Sequence, residues 1–512
     1  MALAAVARGD GGGARLLVAS GEITATGAVV WVRGVREGDV TVDVSVAGGA
    51  AVSRVRTRAT AASDLAVKAV VRGLAPATRY VYQARQGDDR ADGEFTTAPA
   101  PDDRARVTFL WSGDLGGGGF CRPRAGGFRI FEAMTRRSAD FFVFAGDTVY
   151  ADVACKPDAV PHADARATTL PQYHARHRYN REDAAYQRFL ARTPVFAIWD
   201  DHEVRNDFSG PGEALMPAGR QAFIDYWPLL PPAGEPGRLY RRLRWGGLLE
   251  VFILDTRQYR SPNAERDGPA KTMLGPAQRR WLVDAVAASR AVWKVVVSSV
   301  SLSVPTGRPT RRDSWTGASI FGLPVEDATG FATERDAILK ALHARSVRNL
   351  VFAVSDVHHA ELIRHEPQPG FVVHEMIAGP LLASMGRPRP LDDSLSPRSL
   401  FAYNGAFNFG EASVDGQGLT VRFIDVDGAV LFTHLLVAET TWSSSPATST
   451  MPRSSGTSRC PASSCTSSSR DRSPPAGDTR AFSTAPSAPA RSARSAGRTT
   501  SVRSSPTAPG CG

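Results

Sequence analysis

Four short polar clusters each follow an apolar run in this chain. Ser112-Gly113-Asp114 follows VTFLW, Gly146-Asp147 with Tyr150 follows FFVFA, Asp200-Asp201-His202-Glu203 follows VFAIW, and Ser355-Asp356-Val357-His358-His359 follows NLVFAV. Carboxylates, a phenol and imidazoles are ligands for hard, highly charged cations, and one shared carboxylate can bridge two metals roughly 3.5–4 Å apart. The stretch FFVFAGDTVYAD, residues 141–152, shows how the chain would present them. Its four apolar residues suit a strand buried on both faces. Gly146 then permits a sharp turn, which sets Asp147 just beyond the strand's carboxyl end with Tyr150 one turn further on. For an isolated GDxxY the plain alternative is an Asp capping a helix and a Tyr packed in a core. The remaining motifs tip the reading toward a metal site.

Six strands must position these groups. Besides the four above, EVFILD ends at Asp255 and KVVVSS ends at Ser298 and Ser299, so polar groups emerge at the same end of each and imply one crevice. Helical patterns lie between several of them, FRIFEAMTRR and residues 275–289 among them, as βαβ crossovers require. An insertion from about 152 to 192, rich in His, Arg and Tyr, reads either as a cap beside the crevice or as a solvated helix pair. Before these strands, residues from about 15 to 98 alternate with period two, clearest in Val40, Val42, Val44 and Val46 and again in Tyr80 and Tyr82, which predicts a small β-sandwich. The Pro-rich stretch at 96–103 marks a boundary, and residues 419–437 predict a closing hairpin about Asp427-Gly428. The expected domains are 1–98, 105–437 and a disordered tail at 441–512.

Composition limits the partners. The 512 residues are 42% hydrophobic, and no apolar run approaches the roughly 20 residues of a membrane-spanning helix. The formal net charge of +10 suggests a nucleic-acid or membrane partner until it is located. Residues 441–512 hold nine Arg and two Asp, a net +7, leaving only +3 for residues 1–440. A nucleic-acid binder would cluster its basic residues on a folded face, so that reading weakens. The tail has no Leu, Ile or Lys, a composition that cannot bury enough surface to fold. Its abrupt onset also resembles out-of-frame translation. Five cysteines are too few for a disulfide framework, three of them in the tail, and Cys155 is read as inert. No export signal is readable in MALAAVARGDGGG.

In their order, GD at 113–114, GDxxYAD at 146–152, WDDHEVRND at 199–207 and SDVHHA at 355–360 resemble the alkaline phosphatase D (PhoD-like) family of calcineurin-like metallophosphoesterases. Residues 179–208, DTRQYRS at 255–261 and MLGPAQRRWL at 273–282 look like the same family in the same order. The resemblance runs from the first strands to about residue 437, and WDDHE is its most specific piece. It implies an α/β four-layer metallophosphoesterase sandwich preceded by a small all-β, immunoglobulin-like or fibronectin type III-like sandwich. The segment Leu74 to Ala84 is similar to the late strands of such domains, where a Tyr locks a corner to nearby backbone.

The resemblance also implies roles. Asp147 would bridge two metals and Tyr150 would bind ferric iron. Asp114 and His358 would complete the iron side, with Asp201 and Asp356 on a second metal, for which calcium suits the mostly oxygen donors. His202 would donate a proton to the leaving group, and Arg257 would steady the substrate phosphate or serve only structurally. Three departures from the family pattern leave choices open. Where many members carry Cys this chain has Ser112-Gly113-Asp114, so the iron ligand is Asp114 or the displaced Cys121. The usual GDVH is here SDVH, so Ser355 in a Gly position is expected to strain the turn. The doublets Asp200-Asp201 and His358-His359 leave each ligand one residue uncertain. The expected activity is hydrolysis of phosphomonoesters or phosphodiesters, with phospholipase D-like cleavage or a catalytically inactive binding module as alternatives. The partner is a small phosphate ester, and the family suggests export.

Overall fold

The computed structural model describes residues 15–117, 119–123, 125–154 and 166–439. The expected disorder of the tail, the reading of residues 1–14 and the inertness of Cys155 lie outside the described residues.

Seven strands come first: β1 (Leu17–Gly21), β2 (Gly27–Arg33), β3 (Gly38–Val46), β4 (Ala51–Ala59), β5 (Ala66–Arg72), β6 (Arg79–Gln86) and β7 (Asp89–Thr96). They pair antiparallel into two sheets, in the orders β1-β2-β5 and β4-β3-β6-β7. The period-two pattern sets the inner faces: Val40, Val42 and Val44 are fully buried while Thr41 and Asp43 between them are not. Tyr80 stacks on Phe95, and its hydroxyl accepts the Ala75 N–H at 2.9 Å, which is the corner lock expected of this stretch.

The later strands are β8 (Val107–Ser112), β9 (Phe141–Phe144), β10 (Val195–Ala197), β11 (Arg241–Trp245), β12 (Leu249–Ile253), β13 (Trp293–Ser298), the short pair β14 (Gly307–Arg308) and β15 (Arg311–Arg312), β16 (Leu350–Val354), β17 (Ala360–Gln368), β18 (Phe371–Ile377), β19 (Arg398–Tyr403), β20 (Asn408–Val414), β21 (Gly418–Asp425) and β22 (Val430–Val437). Among the described residues six helices accompany them: α1 (Ile130–Thr135), α2 (Leu170–Arg181), α3 (Ala184–Arg192), α4 (Met216–Tyr226), α5 (Gly275–Ala288) and α6 (Ala332–Ala344). One sheet runs β10-β9-β8-β20-β21-β22, the other β11-β12-β13-β16-β18-β17-β19. Strands β8, β9 and β10 are parallel to one another, as are β12, β13, β16 and β18.

Alternating side chains define the layers. Phe141 turns inward onto Trp245 of the other sheet, at 4.8 Å between rings, while its neighbour Phe142 turns outward onto Phe189 of α3 at 5.6 Å. In the second sheet Val295 and Val297 join the core between the sheets, whereas Val296 and Phe352 pack with Leu282 and Leu339 of α5 and α6. Each fully buried Phe or Val contributes roughly 1.5–3 kcal/mol by leaving water. The result is helix, sheet, sheet, helix, the expected four-layer sandwich, with β21 and β22 forming the closing hairpin at one edge.

The six strands that deliver polar groups are divided three and three between the two sheets. The two sheets are tied across the gap at this end: Ser355 Oγ, after β16, donates to Ala145 O at 2.9 Å, and the Leu381 N–H, beyond β18, donates to Gly113 O, also at 2.9 Å. The insertion is not a solvated pair, since α2 buries Tyr173, His174, Arg176, His177 and Arg181. Nor do its described residues cap the crevice. They support the ligand loop from behind, with Arg176 Nη2 donating to Tyr150 O at 2.6 Å and Asn180 Nδ2 to Thr148 O at 3.1 Å.

Candidate metal centre

The turns that leave the strands are left-handed at the residues expected to bind metal. Backbone φ is +64° at Asp114, +50° at Asp147, +69° at Asp356 and +60° at His358. Asp and His tolerate this region better than most side chains, yet each such residue costs on the order of 1–3 kcal/mol and persists only where its surroundings fix it. Gly146, at φ +126°, is required sterically as well, because a Cβ there would lie 2.7 Å from the Asp200 Cβ. Ser355 departs from the expectation of strain. It has no positive φ, and the left-handed residues of its turn are Asp356 and His358.

These turns bring the predicted ligands together. Asp114, Asp147 and His358 form one group with ligand atoms within 4.8 Å of one another, and Asp147, Asp201 and His202 form a second. Asp147 belongs to both groups. His358 Nε2 lies 3.1 Å from Tyr150 Oη and 3.6 Å from Asp114 Oδ1. Its Nδ1 faces the Ser384 carbonyl at 2.6 Å, so Nδ1 carries the proton and the Nε2 lone pair points into the cluster. Asp356 lines the same cleft, a space of about 410 Å³ that also touches Asp147, Asp201, His202 and His358.

The donor set fits a cation. Both oxygens of Asp114, Oδ1 of Asp201 and Oδ2 of Asp356 are buried with no hydrogen-bond partner. Native proteins rarely leave buried carboxylate oxygens so. Burial first, and then repulsion from neighbouring carboxylates, pushes the carboxyls of Asp114, Asp147 and Asp356 well above their usual range, and burial with Asp147 does the same to the Tyr150 phenol. Such a set ionises together only around positive charge.

The doublets separate by their partners. Asp200 accepts from Arg257 Nε at 2.6 Å and Nη2 at 2.8 Å and from Ser299 Oγ at 2.5 Å, so its oxygens are occupied. Asp201 accepts from the Asp207 N–H at 2.6 Å through Oδ2 and leaves Oδ1 toward the cleft. His359 turns away, buried against Glu361 at 2.9 Å, while His358 faces the cluster. Cys121 is disulfide-bonded and offers no thiolate, which leaves Asp114 on that side.

Arg257, expected at the substrate phosphate, does not line the cleft. It is fully buried, and its donors are committed to the carboxylates of Asp200 and Asp313, the latter through Nη1 and Nη2 at 2.7 Å each. It braces the wall behind Asp201. The exposed cation that lines the cleft is Arg389. No sequence signal pointed to it, since it stands in a loop outside every motif. Asp255, another strand-end acid, is also structural, accepting from Trp199 Nε1 at 2.9 Å.

His202 stands over the site. Its ring stacks on Tyr150 with centroids 4.1 Å apart, its Nδ1 lies 2.7 Å from Asp152 Oδ1, and its backbone N–H donates to Asp147 Oδ1 at 3.2 Å. Burial opposes protonation, but the carboxylates of Asp201 and Asp152 outweigh it and push the imidazole up to about 9. Asp152 is a residue that the motif contained without being given a role. Glu203 is another: its Oε1 accepts from the Thr148 N–H at 2.6 Å and its Oε2 from the Asp200 N–H at 2.9 Å, locking the two ligand loops together.

Comparison with known proteins agrees with this geometry. The family model for PhoD-like phosphatase matches residues 111–421, and that for the PhoD-like phosphatase N-terminal domain matches residues 4–99. Alkaline phosphatase D of Bacillus subtilis (strain 168) is 27% identical over 318 residues, 56% of this chain and 52% of that protein, so the chain spans about half the length of this curated relative. A solved PhoD structure superposes with a TM-score of 0.67 at 20% identity, covering 84% of this chain and 90% of the other. A purple acid phosphatase from yellow lupin (Lupinus luteus) seeds superposes at 0.58 with 14% identity, covering 83% and 74%. At those identities the structures attest the fold. The family model spans more than half of the sequence, and the chain belongs to the PhoD-like phosphatase family.

Proposed function

We propose that this chain is a metal-dependent phosphoric ester hydrolase acting on phosphomonoesters or phosphodiesters. The observation that carries the reading is the convergence of unpartnered, buried carboxylate oxygens from Asp114, Asp201 and Asp356 beside Tyr150 and His358 under an open cleft. Asp114, Tyr150 and His358 would hold one cation, Asp201 and Asp356 a second, with Asp147 shared between them. The oxygen-rich donors favour ferric iron with calcium over two zinc ions. When bound, two such cations neutralise phosphate oxygens and acidify water at neutral pH.

The chain's own residues supply the rest. Asp152 fixes the His202 ring through Nδ1, which leaves Nε2 facing the cleft side, 4.0 Å from Asp201 Oδ1, where a proton can pass to a leaving oxygen. Arg389 takes the phosphate-steadying role first expected of Arg257. An inactive binding module has no use for carboxylates left buried and unpartnered. The family's suggestion of export is supported by the disulfide at Cys121, a bond that persists in oxidising compartments.

Parallel assays of purified protein on chromogenic mono- and diesters, before and after chelation and with elemental analysis, test the proposal. Turnover that vanishes with the metals and returns with iron and calcium is expected. Full activity of metal-free protein, or none on either ester with metals loaded, defeats it.

A further inference from the structure

Eleven large apolar side chains are exposed among the described residues, and four of them fall within six positions: Ile320 at 51%, Phe321 at 69%, Leu323 at 55% and Val325 at 38%. Single exposed apolar residues are ordinary, but a contiguous group marks a surface that meets something else. The loop that carries them is well formed. Ser319 N–H donates to Leu323 O at 2.8 Å, Gly322 N–H to Ser319 O at 3.0 Å, and Ser319 Oγ accepts from the Phe321 and Leu323 N–H groups, both at 3.2 Å. Its backbone polarity is satisfied while its side chains face solvent.

The surroundings are basic. Gly322 rests against Pro390 and Leu391, directly after the exposed Arg387 and Arg389. Arg389 Nη1 donates to Pro305 O at 3.0 Å, at the base of the β14–β15 hairpin that exposes Arg308 and Arg311. Against these four arginines stand Glu326, Asp393, Asp327, the last paired with Arg266 at 3.3 Å, and, on the wall facing Arg308 and Arg311, Asp207 and Glu213, with Glu213 paired to Arg205. Arg389 lines the metal cleft, and Arg308 and Arg311 line an adjoining cleft of about 630 Å³ that shares Asn206 and Asp207 with it. The apolar tip therefore stands at the rim of the candidate site.

We propose that residues 319–325 are an interfacial anchor for an anionic lipid surface. Ile320, Phe321 and Leu323 enter the boundary between headgroups and acyl chains, while Arg308, Arg311 and Arg387 meet the headgroup phosphates. An apolar tip with flanking cations is complementary to such a surface, and docking this way turns the cleft mouth toward it. No described helix is long and apolar enough to cross a membrane, so the attachment is peripheral. The inference concerns adsorption and stands independently of the hydrolase reading.

The test is partition of the full chain onto vesicles of phosphatidylcholine with or without phosphatidylglycerol. Because the nine Arg of residues 441–512 act alike in every variant, the decisive comparison is with the full-length Ile320→Ser, Phe321→Ser, Leu323→Ser triple variant. Partition onto the mixed vesicles should fall at least about tenfold, with melting temperature and hydrolysis of a soluble ester unchanged. Arg308→Ser with Arg387→Ser should weaken binding to the anionic vesicles and leave binding to the neutral ones as it was. Emission of Phe321→Trp, measured against the unsubstituted chain, should be quenched by brominated acyl chains. Equal partition of wild type and triple variant overturns the anchor. So does a change of oligomeric state in the triple variant with vesicle binding intact, which would make the loop a protein contact.

Discussion

Tyr150 is enclosed by groups that matter to any metal it holds: the His202 ring stacked at 4.1 Å, His358 Nε2 at 3.1 Å from its hydroxyl, and the Asp147 turn three residues before it. A phenolate bound to ferric iron absorbs visible light, whereas a packed tyrosine does not. The purified protein should be coloured, and Tyr150→Phe, which keeps the ring against His202, should be bleached at a packing cost below about 1.5 kcal/mol. A visible spectrum and an iron analysis of both proteins check this, and colour that survives the substitution removes Tyr150 from the site. His202 is tested through its leaving group. His202→Ala should slow hydrolysis of alkyl phosphates by about 10²-fold or more, and of nitrophenyl phosphate far less, because nitrophenolate departs without a proton. Asp152→Asn should show the same bias more weakly. Equal losses on both substrates would make His202 a ligand or a scaffold residue instead.

At the scale of elements the site depends on loops braced from behind. Arg257, on the turn after β12, ties Asp200 to Asp313 in a fully buried pairing, whereas Arg389 sits exposed at the cleft. The two arginines should therefore respond oppositely. Arg257→Met leaves the buried Asp200 without its cation, while Asp313 keeps Arg260 at 2.8 Å, and should cost about 3–5 kcal/mol of stability. Arg389→Ala should change stability by less than about 0.5 kcal/mol yet raise KM roughly tenfold, by removing one charge-assisted contact to phosphate. Thermal melts and steady-state kinetics on both variants decide, and the reverse pattern would restore Arg257 to the substrate. Much of this was legible beforehand. Apolar runs ending in polar groups located the strand ends, and WDDHE and GDxxY placed Asp147, Tyr150 and the Asp200-Asp201 pair at the crevice. What sequence leaves open is orientation at neighbouring positions. Asp200 and Asp201 differ only in that Arg257 and Ser299, far along the chain, reach the first of them. The division of six strands between two sheets, and the approach of Arg389 from a loop without a motif, likewise arise from packing that no local pattern records.

For the whole molecule, the β-sandwich is held to the larger part by a polar network centred on Asp64. Its carboxylate receives Arg33 Nε at 3.2 Å, Arg178 Nη1 at 2.7 Å and the Tyr226 hydroxyl, and nearby Arg181 lies over the rings of both Trp31, at 4.7 Å, and Trp227, at 4.2 Å. Burial alone would raise the Asp64 pKa, but the hydrogen bonds and charges of Arg33, Tyr226 and Arg178 prevail and hold it below the ordinary value. An acid whose pKa is lowered by folding stabilises the fold above its unfolded value of about 3.9 and loses that contribution as pH falls through the folded value. Asp64→Asn keeps the shape and removes the charge. It should lower stability by about 2–4 kcal/mol at pH 7, since two arginines lose the anion they share in a partly buried site. The gap between wild type and variant should stay constant from pH 7 to about 5 and narrow progressively as pH falls below about 4, toward the lowered folded value of Asp64. Chemical denaturation of both proteins across that range reads the difference directly. A gap that does not narrow at all between pH 5 and pH 3, or that never opens at pH 7, would show that the sandwich is held by its apolar contacts around Trp31 and not by Asp64.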